Sequence, residues 1–332
     1  MQARYGRAAR DVKRVELRFT PQPRSIVSVL VLVTSRYMEH QLAALRLLAP
    51  RERFDTDPDA ARADEVEAIV AFRFAMGIAP RFPNLRLVAS PGAGTDELLS
   101  AGDIPAHVPI VRAVDPLQGR RMAQYVGLMV LRQLRDLPRL EAQHRREEWR
   151  RFASGEEGTI GLLGYGTVGA PVADALQRLG FPVIAWTRTP HREAGIEIAT
   201  GVATLRSFLA RCNVLVCTLP LTAETRGLLD AEALAALPRG AYLINVSRGA
   251  LVDEDALLEA LRAGRLAGAV LDVFSEEPLP ADHPLWEAPN VTITPHVSGA
   301  TLQFFDDLVV ENVRRYLAGE PLLNPIDAER GY

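Results

Sequence analysis

Arg248, Glu277 and His296 each follow a strand-like run. Leu243-Ile-Asn-Val-Ser precedes the arginine, Val270-Leu-Asp-Val-Phe-Ser-Glu the glutamate and Val291-Thr-Ile-Thr-Pro the histidine. If those runs are parallel strands, all three side chains lie at strand carboxyl ends, where open α/β sheets take their ligands. Singly, the arginine could cap a helix, the glutamate could be a loop acid before Pro278, and the histidine could be a satisfied loop residue. Together they fit one task, the reduction of an anionic carbonyl compound. Arginine offers a permanent, forked cation for a carboxylate. Histidine titrates near neutral pH and could protonate the forming alkoxide. A carboxylate beside it would keep it protonated and fix its tautomer.

A second pattern supplies the electrons. Thr159-Ile-Gly-Leu-Leu-Gly164-Tyr-Gly166-Thr-Val-Gly169 follows a strand-like run and opens a helical one, Ala170 to Leu179. That is the context a dinucleotide-binding G-x-G-x-x-G needs. Gly164 would permit the turn, Gly166 would let backbone approach a pyrophosphate, and Gly169 would let the helix pack on the strand. The amides of Thr167 and Val168 would face the phosphates at the helix N-terminus. The bland alternative is an ordinary glycine-rich turn. NAD sites place an acid at the end of the next strand, for the ribose 2′-hydroxyl. This chain has Trp186-Thr-Arg-Thr-Pro-His-Arg192 there, with no acid. Arg188, helped by Thr187 and Thr189, would instead bind a 2′-phosphate, so NADPH is expected over NAD. A solvated surface arginine is the rival reading.

The elements needed to position these groups are legible as alternating strands and helices. Strand-like runs fall at 25–33, 66–72, 85–90 and 108–114, then at 159–163, 182–186, 214–218, 241–246, 268–274 and 291–294. Helical spacing marks 38–48, 170–179 and 301–317, and a single long helix with a charged tail is expected over 119–151 as a bridge. The fold class is α/β: two Rossmann-like or flavodoxin-like doubly wound parallel-sheet domains. Residues 1–23 read as an extension, 24–118 and 299–332 as a discontinuous first domain, and 119–298 as the dinucleotide-binding domain.

The 332 residues exceed what one core usually serves. A net charge of −3 gives no basic excess for nucleic acid or an anionic membrane. No apolar run approaches a membrane span, and the N-terminus lacks the apolar core of a secretory signal. Cys212 and Cys217, in apolar surroundings and too few for a zinc quartet, suggest buried thiols in the cytoplasm and no metal centre.

The chain resembles the D-2-hydroxyacid dehydrogenase family from about Pro91 to Ala300. The resemblance rests on Ser90-Pro-Gly-Ala-Gly-Thr-Asp96, the glycine turn, Cys217-Thr-Leu-Pro-Leu-Thr222, Ile244-Asn-Val-Ser-Arg-Gly-Ala250, Leu271-Asp-Val-Phe-Ser-Glu-Glu-Pro-Leu-Pro280 and Thr294-Pro-His-Val297. Within the family it is most similar to the glyoxylate/hydroxypyruvate reductase A type, through Trp186 to Thr189, Pro284-Leu-Trp286 and Arg330-Gly-Tyr332.

The resemblance implies a catalytic Arg248, Glu277 and His296, an inserted cofactor domain and a homodimer. It implies that Asp272 meets the nicotinamide carboxamide. It also implies that Trp186, Leu219, Pro220, Val246, Ser247, Arg248 and His296 line the cofactor, and that the amides of Gly92, Ala93 and Gly94 share the substrate carboxylate with Arg248. A plain glycine turn explains residues 92–94 nearly as well, and Trp149 is either a partner-site residue or a buried anchor of the bridge. The expected activity is NADPH-dependent reduction of glyoxylate or hydroxypyruvate. An NAD-dependent dehydrogenase of a bulkier D-2-hydroxy acid and a dinucleotide-sensing, corepressor-like module are the alternatives.

Overall fold

The computed structural model describes residues 28–31, 42–43, 45–47, 49–100, 102–114, 117–152, 158–190, 195–299 and 305–327, with backbone alone at 305–307. The N-terminal extension, most of the helix expected over 38–48, His191 and Arg192, Ala300, the start of the last helix and Arg330 to Tyr332 lie outside them.

The described residues form two compact units: those up to 114 together with 305–327, and those from 117 to 299. The first holds β1 (Ser28–Val31), β2 (Arg53–Asp55), β3 (Val66–Val70), β4 (Leu87–Ser90), α1 (Asp96–Ser100), β5 (Ile110–Arg112) and, from the chain's end, α8 (Phe305–Ala318). Its sheet is parallel throughout, in the order β2-β1-β3-β4-β5. Side chains alternate along each strand, so one face buries Val29, Val31, Ala68 and Val70 against Val309, Val310 and Val313 of α8. The other face buries Leu30, Ile69, Val88 and Ile110 against Leu98. The last described segment bridges to β5, with the Ile326 amide donating to the Ile110 carbonyl at 3.0 Å. The Tyr316 hydroxyl donates to Glu67 at 2.6 Å.

The second unit holds α2 (Gln118–Leu134), α3 (Leu137–Arg145), β6 (Ile160–Leu163), α4 (Gly169–Arg178), β7 (Val183–Thr187), β8 (Glu197–Thr200), α5 (Leu205–Leu209), β9 (Val214–Cys217), α6 (Ala231–Ala236), β10 (Ala241–Asn245), α7 (Glu254–Arg262), β11 (Leu266–Leu271) and β12 (Val291–Ile293). The sheet is again all parallel, ordered β12-β11-β10-β9-β6-β7-β8. Strand order reverses between β6 and β9, which is where such sheets open a ligand crevice. Both faces are apolar. Ile160, Leu162, Val214 and Val216 pack with Val126 and Val130 of α2 and Val172 and Leu176 of α4. Leu163, Trp186, Leu215 and Leu243 pack with Phe208 of α5 and Leu257 and Leu261 of α7.

Three details differ from expectation. The long helix over 119–151 is two helices. Asp136 takes a left-handed backbone at φ 51°, and Pro138, which has no amide to donate, opens α3 rather than continuing α2. The strands β2 and β8 were not anticipated. Both are short edge strands with charged residues and little buried surface, so they lack the apolar run that marks a central strand. Trp149 is 94% exposed, which removes its reading as a buried anchor.

Candidate active site

β10, β11 and β12 are adjacent, in that order, at one side of the second sheet. Neighbouring strands lie about 4.8 Å apart. Loops leaving their carboxyl ends therefore run side by side, and those loops carry Arg248, Glu277 and His296. Residues far apart in sequence meet for this topological reason.

His296 Nδ1 and Glu277 Oε2 are 2.8 Å apart, and the other glutamate oxygen accepts the Phe274 amide at 2.9 Å. The hydrogen bond to Glu277 raises the His296 pKa above its ordinary 6.5, against an opposing push from burial. The Arg248 charge acts on the same ring and lowers its pKa, so the guanidinium lies within electrostatic range. Burial raises the Glu277 pKa, but the bonds from His296 and Phe274 and the charges of His296 and Arg248 outweigh it, leaving the carboxyl below its usual range. Both shifts favour a carboxylate paired with an imidazolium, within the field of the Arg248 charge. With Nδ1 held by Glu277, Nε2 is the nitrogen left to face a substrate.

The loop that presents His296 is braced by Asp272. This buried carboxylate accepts the Val297 amide at 2.9 Å and the Thr294 hydroxyl at 2.5 Å on one oxygen, and the Ser298 amide at 2.8 Å on the other. The His296 amide donates to the Asp272 carbonyl at 2.9 Å, and His296 itself sits at φ 52°, a left-handed conformation that a non-glycine residue keeps only when its surroundings impose it. Tyr125 of α2 and Thr294 are joined through their hydroxyls at 2.6 Å, and burial pushes the tyrosine pKa up to about 12. The Asp272 carboxylate therefore serves the loop three times over, and any cofactor contact by it is shared with those donors.

Arg248 is set by its own strand end. The Asn245 side chain donates to the Arg248 carbonyl at 2.9 Å and accepts the Ser247 amide at 3.2 Å, while the Ser247 hydroxyl bonds to the Leu219 carbonyl. Gly249 then lets this loop run against the next one. A Cβ there would lie 1.9 Å from the Phe274 carbonyl carbon and 2.2 Å from the Ser275 nitrogen, both backbone atoms. Gly249→Ala should therefore force apart the segments carrying Arg248 and Glu277. We expect a loss of about 1–3 kcal/mol, seen as a lowered unfolding midpoint together with reduced turnover; wild-type thermal stability would contradict the packing described.

The glycine turn fits the phosphates of a dinucleotide. Gly164 has φ +105°, and its amide donates to the Trp186 carbonyl at 2.9 Å. A Cβ at Gly166 would meet no protein atom within 4 Å, so the turn opens to free space at the start of the ten-residue α4. A Cβ at Gly169 would fall 2.2 Å from the Gly164 carbonyl oxygen, so helix and turn touch there. Thr167 is exposed and Val168 half-buried at the same helix start.

The remaining residues expected to line a cofactor divide by exposure. Arg188 is 28% exposed in its side chain and forms an ion pair with Glu224; Thr189 is exposed, as is Pro220. Thr187 is buried, its hydroxyl donating to the Thr189 carbonyl at 2.8 Å. Trp186 is turned into the core, with its indole nitrogen donating to the Gly201 carbonyl at 3.0 Å, so its ring is not available to a ligand. Leu219 and Val246 are buried and Ser247 half-buried.

In the first unit, Gly92, Ala93 and Gly94 form a braced turn after β4. The buried Ser90 hydroxyl accepts the Gly92 amide at 3.1 Å and donates to the Gly94 carbonyl at 3.2 Å, and Arg112 donates to the Ala93 carbonyl at 3.2 Å. Burial lowers the Arg112 pKa. Ser90 and Arg112, which brace this turn in the first unit, and Thr294, Tyr125 and Glu224, which bond to the His296 loop or to Arg188 in the second, were not anticipated. Polar side chains at the ends of apolar strands are the signal that marks Ser90 and Arg112; Glu224 and Tyr125 carry none.

Burial pushes the pKa values of Cys212 and Cys217 up to about 12, so both are inert thiols. Among the described residues no helix is long and apolar enough to cross a membrane.

Residues 127–298, just over half of the chain, match the model of the D-isomer specific 2-hydroxyacid dehydrogenase NAD binding domain. A glyoxylate/hydroxypyruvate reductase A from Salmonella heidelberg (strain SL476) is 38% identical over 256 residues, covering 75% of this chain and 82% of the relative. One from Yersinia enterocolitica is 39% identical over the same length, with the same coverage. Among solved structures, a D-isomer specific 2-hydroxyacid dehydrogenase from Xanthobacter autotrophicus Py2 in complex with NADPH and MES is 39% identical and has a TM-score of 0.81, covering 93% of this chain and 100% of that one. An NADPH-dependent glyoxylate/hydroxypyruvate reductase from Sinorhizobium meliloti, in complex with NADP and sulfate, is 34% identical with a TM-score of 0.81, covering 92% and 100%. On these matches, the chain belongs to the D-isomer specific 2-hydroxyacid dehydrogenase family.

Proposed function

We propose that this protein is an NADPH-dependent reductase of a small 2-oxo acid of the glyoxylate or hydroxypyruvate kind, forming the D-2-hydroxy acid. The observation that carries the reading is the 2.8 Å pairing of His296 with Glu277 within the field of Arg248, on the strand-end edge that also bears the glycine turn. Relatives whose names state this reaction, and related structures that hold NADPH or NADP, support it.

The cofactor, when bound, supplies the hydride. Gly164 to Gly169 and the start of α4 would hold its pyrophosphate, and Arg188 with Thr189 its adenosine end. Arg248 pairs with the substrate carboxylate and fixes which face of the carbonyl is presented. His296 donates its Nε2 proton to the carbonyl oxygen as negative charge develops there. Glu277 keeps the imidazole protonated and aimed through Nδ1. A sensor of dinucleotide alone has no use for a proton donor held in this way.

We propose further that the protein is a cytoplasmic homodimer. Free thiols at Cys212 and Cys217 suit a reducing compartment. The exposed apolar side chains of Leu128, Leu137, Leu140 and Trp149 gather along α2, α3 and the turn after them, where a second copy would cover them. Light scattering that returns the mass of one chain would end that part of the proposal. The function is tested by following cofactor oxidation over a panel of 2-oxo acids, each with NADPH and with NADH. Turnover of glyoxylate or hydroxypyruvate with NADPH ahead of NADH is expected; no oxidation with any acid would refute the assignment.

A further inference from the structure

Arg188 and Glu224 leave the second sheet from different strands. Arg188 directly follows β7, whereas Glu224 belongs to the loop after β9. In the sheet, β6 lies between β7 and β9. The ion pair between the Arg188 guanidinium and the Glu224 carboxylate therefore spans the carboxyl end of β6, the strand that ends in the glycine turn.

Neither partner is on a loose tether. Thr225, next to Glu224, is buried; its hydroxyl donates to the Pro220 carbonyl at 2.7 Å and accepts the Thr222 amide at 2.8 Å. The Gly227 amide donates to the Ala250 carbonyl at 2.8 Å, tying the loop's far end to the residues after Arg248. On the other side, the buried Thr187 hydroxyl bonds to the Thr189 carbonyl and fixes the backbone around Arg188. Of the two side chains, Glu224 is the more exposed, at 67% against 28%. The carboxylate therefore holds a partly covered guanidinium while staying largely in solvent itself.

A carboxylate and a phosphate ask the same thing of a guanidinium, a planar pair of donors with positive charge. They cannot both take the same donors. Two anions held on one cation also repel each other when one sits on a braced loop. We propose that Glu224 is a specificity-determining residue that occupies Arg188 in the ligand-free protein and must yield it to the ribose 2′-phosphate, so setting the margin by which the site favours the phosphorylated dinucleotide. The inference rests on the reading of Arg188 as the 2′-phosphate ligand. By this reading the acid that unphosphorylated-dinucleotide sites carry at the end of the second strand is absent there, and an acid from another loop meets Arg188 through space.

The experiment is calorimetric titration of the purified full-length protein, without substrate, using NADP⁺ and NAD⁺ as probes. Arg188→Ala should weaken NADP⁺ binding by about 10-fold or more and leave NAD⁺ binding unchanged. Glu224→Gln should tighten NADP⁺ binding by about 2- to 5-fold, the range an exposed ion pair is worth, again with NAD⁺ unchanged. In the Arg188→Ala background, Glu224→Gln should tighten NADP⁺ less than it does in wild type, because the contest for Arg188 is gone and only carboxylate–phosphate repulsion remains; an equal gain in both backgrounds would overturn the competition. If Arg188→Ala behaves as stated but Glu224→Gln leaves NADP⁺ affinity unchanged or weakens it, the role given to Glu224 is overturned and Arg188 stands. A loss of NAD⁺ affinity in Glu224→Gln would make Glu224 a direct ligand, which also overturns it. If Arg188→Ala binds NADP⁺ like wild type, the reading of Arg188 fails and this inference falls with it.

Discussion

His296→Ala lowers turnover in 2-oxo acid reduction by about 10²- to 10⁴-fold, the range general acid catalysis supplies, while the affinity for NADP⁺ measured by calorimetry stays close to wild type. The side chain is at the strand-end edge, and the loop behind it is held by Asp272 through three side-chain hydrogen bonds and one to its carbonyl, so truncation removes the proton donor without releasing the loop. The pH profile adds a second readout. Reduction needs His296 protonated, and its pKa is raised above 6.5 chiefly by the bond to Glu277. kcat/KM should therefore hold steady below that raised pKa and fall as pH rises through it; the oxidative direction, which needs neutral imidazole, should rise over the same interval. Glu277→Gln removes the carboxylate that favours imidazolium, so the basic limb for reduction should move to lower pH. Turnover unaffected by His296→Ala, or a limb that stays in place in Glu277→Gln, would refute the pairing as the acid of the reaction.

The sequence carried the catalytic groups further than it carried their supports. Arg248, Glu277 and His296 were visible because each follows a strand-like run, and parallel strands place such ends on one edge. The order of β10, β11 and β12 explains why that was sufficient: consecutive strands became neighbours in the sheet. The residues that hold those groups were not visible in the same way. Asp272 was assigned to the cofactor through the resemblance alone; that its carboxylate also holds the loop presenting His296 is a contact across residues 272 to 298 that no local pattern reports. Glu224 was missed because its partner is on another strand's loop, beyond the reach of any spacing rule. The break at Asp136 was legible in Pro138, but the leucine spacing on either side of it masked the interruption. The edge strands β2 and β8 escaped because they carry charged residues and no apolar run, whereas the edge strands β5 and β12 keep one.

Arg248→Ala raises KM for the 2-oxo acid by about 10²-fold, because a charge-assisted, forked contact to a carboxylate is lost, while His296 bears on the carbonyl oxygen and Glu277 acts only through the imidazole. Lysine at this position should recover only part of the loss, as it keeps the charge without the fork. A raised KM alone is also what a distorted loop would give, since Asn245 and Ser247 hold this segment by its backbone. The pH profile separates the two. The Arg248 charge pushes the His296 pKa down, against the pull of Glu277. Removing it should let that pKa climb further, so the basic limb of kcat/KM for reduction moves to higher pH in Arg248→Ala. That is the opposite direction from Glu277→Gln. A loop that had merely come loose would separate imidazole from carboxylate and drag the limb downward in both variants. Opposed shifts therefore require a cation and a carboxylate acting on one imidazole, and a downward or absent shift in Arg248→Ala would remove the guanidinium from the site.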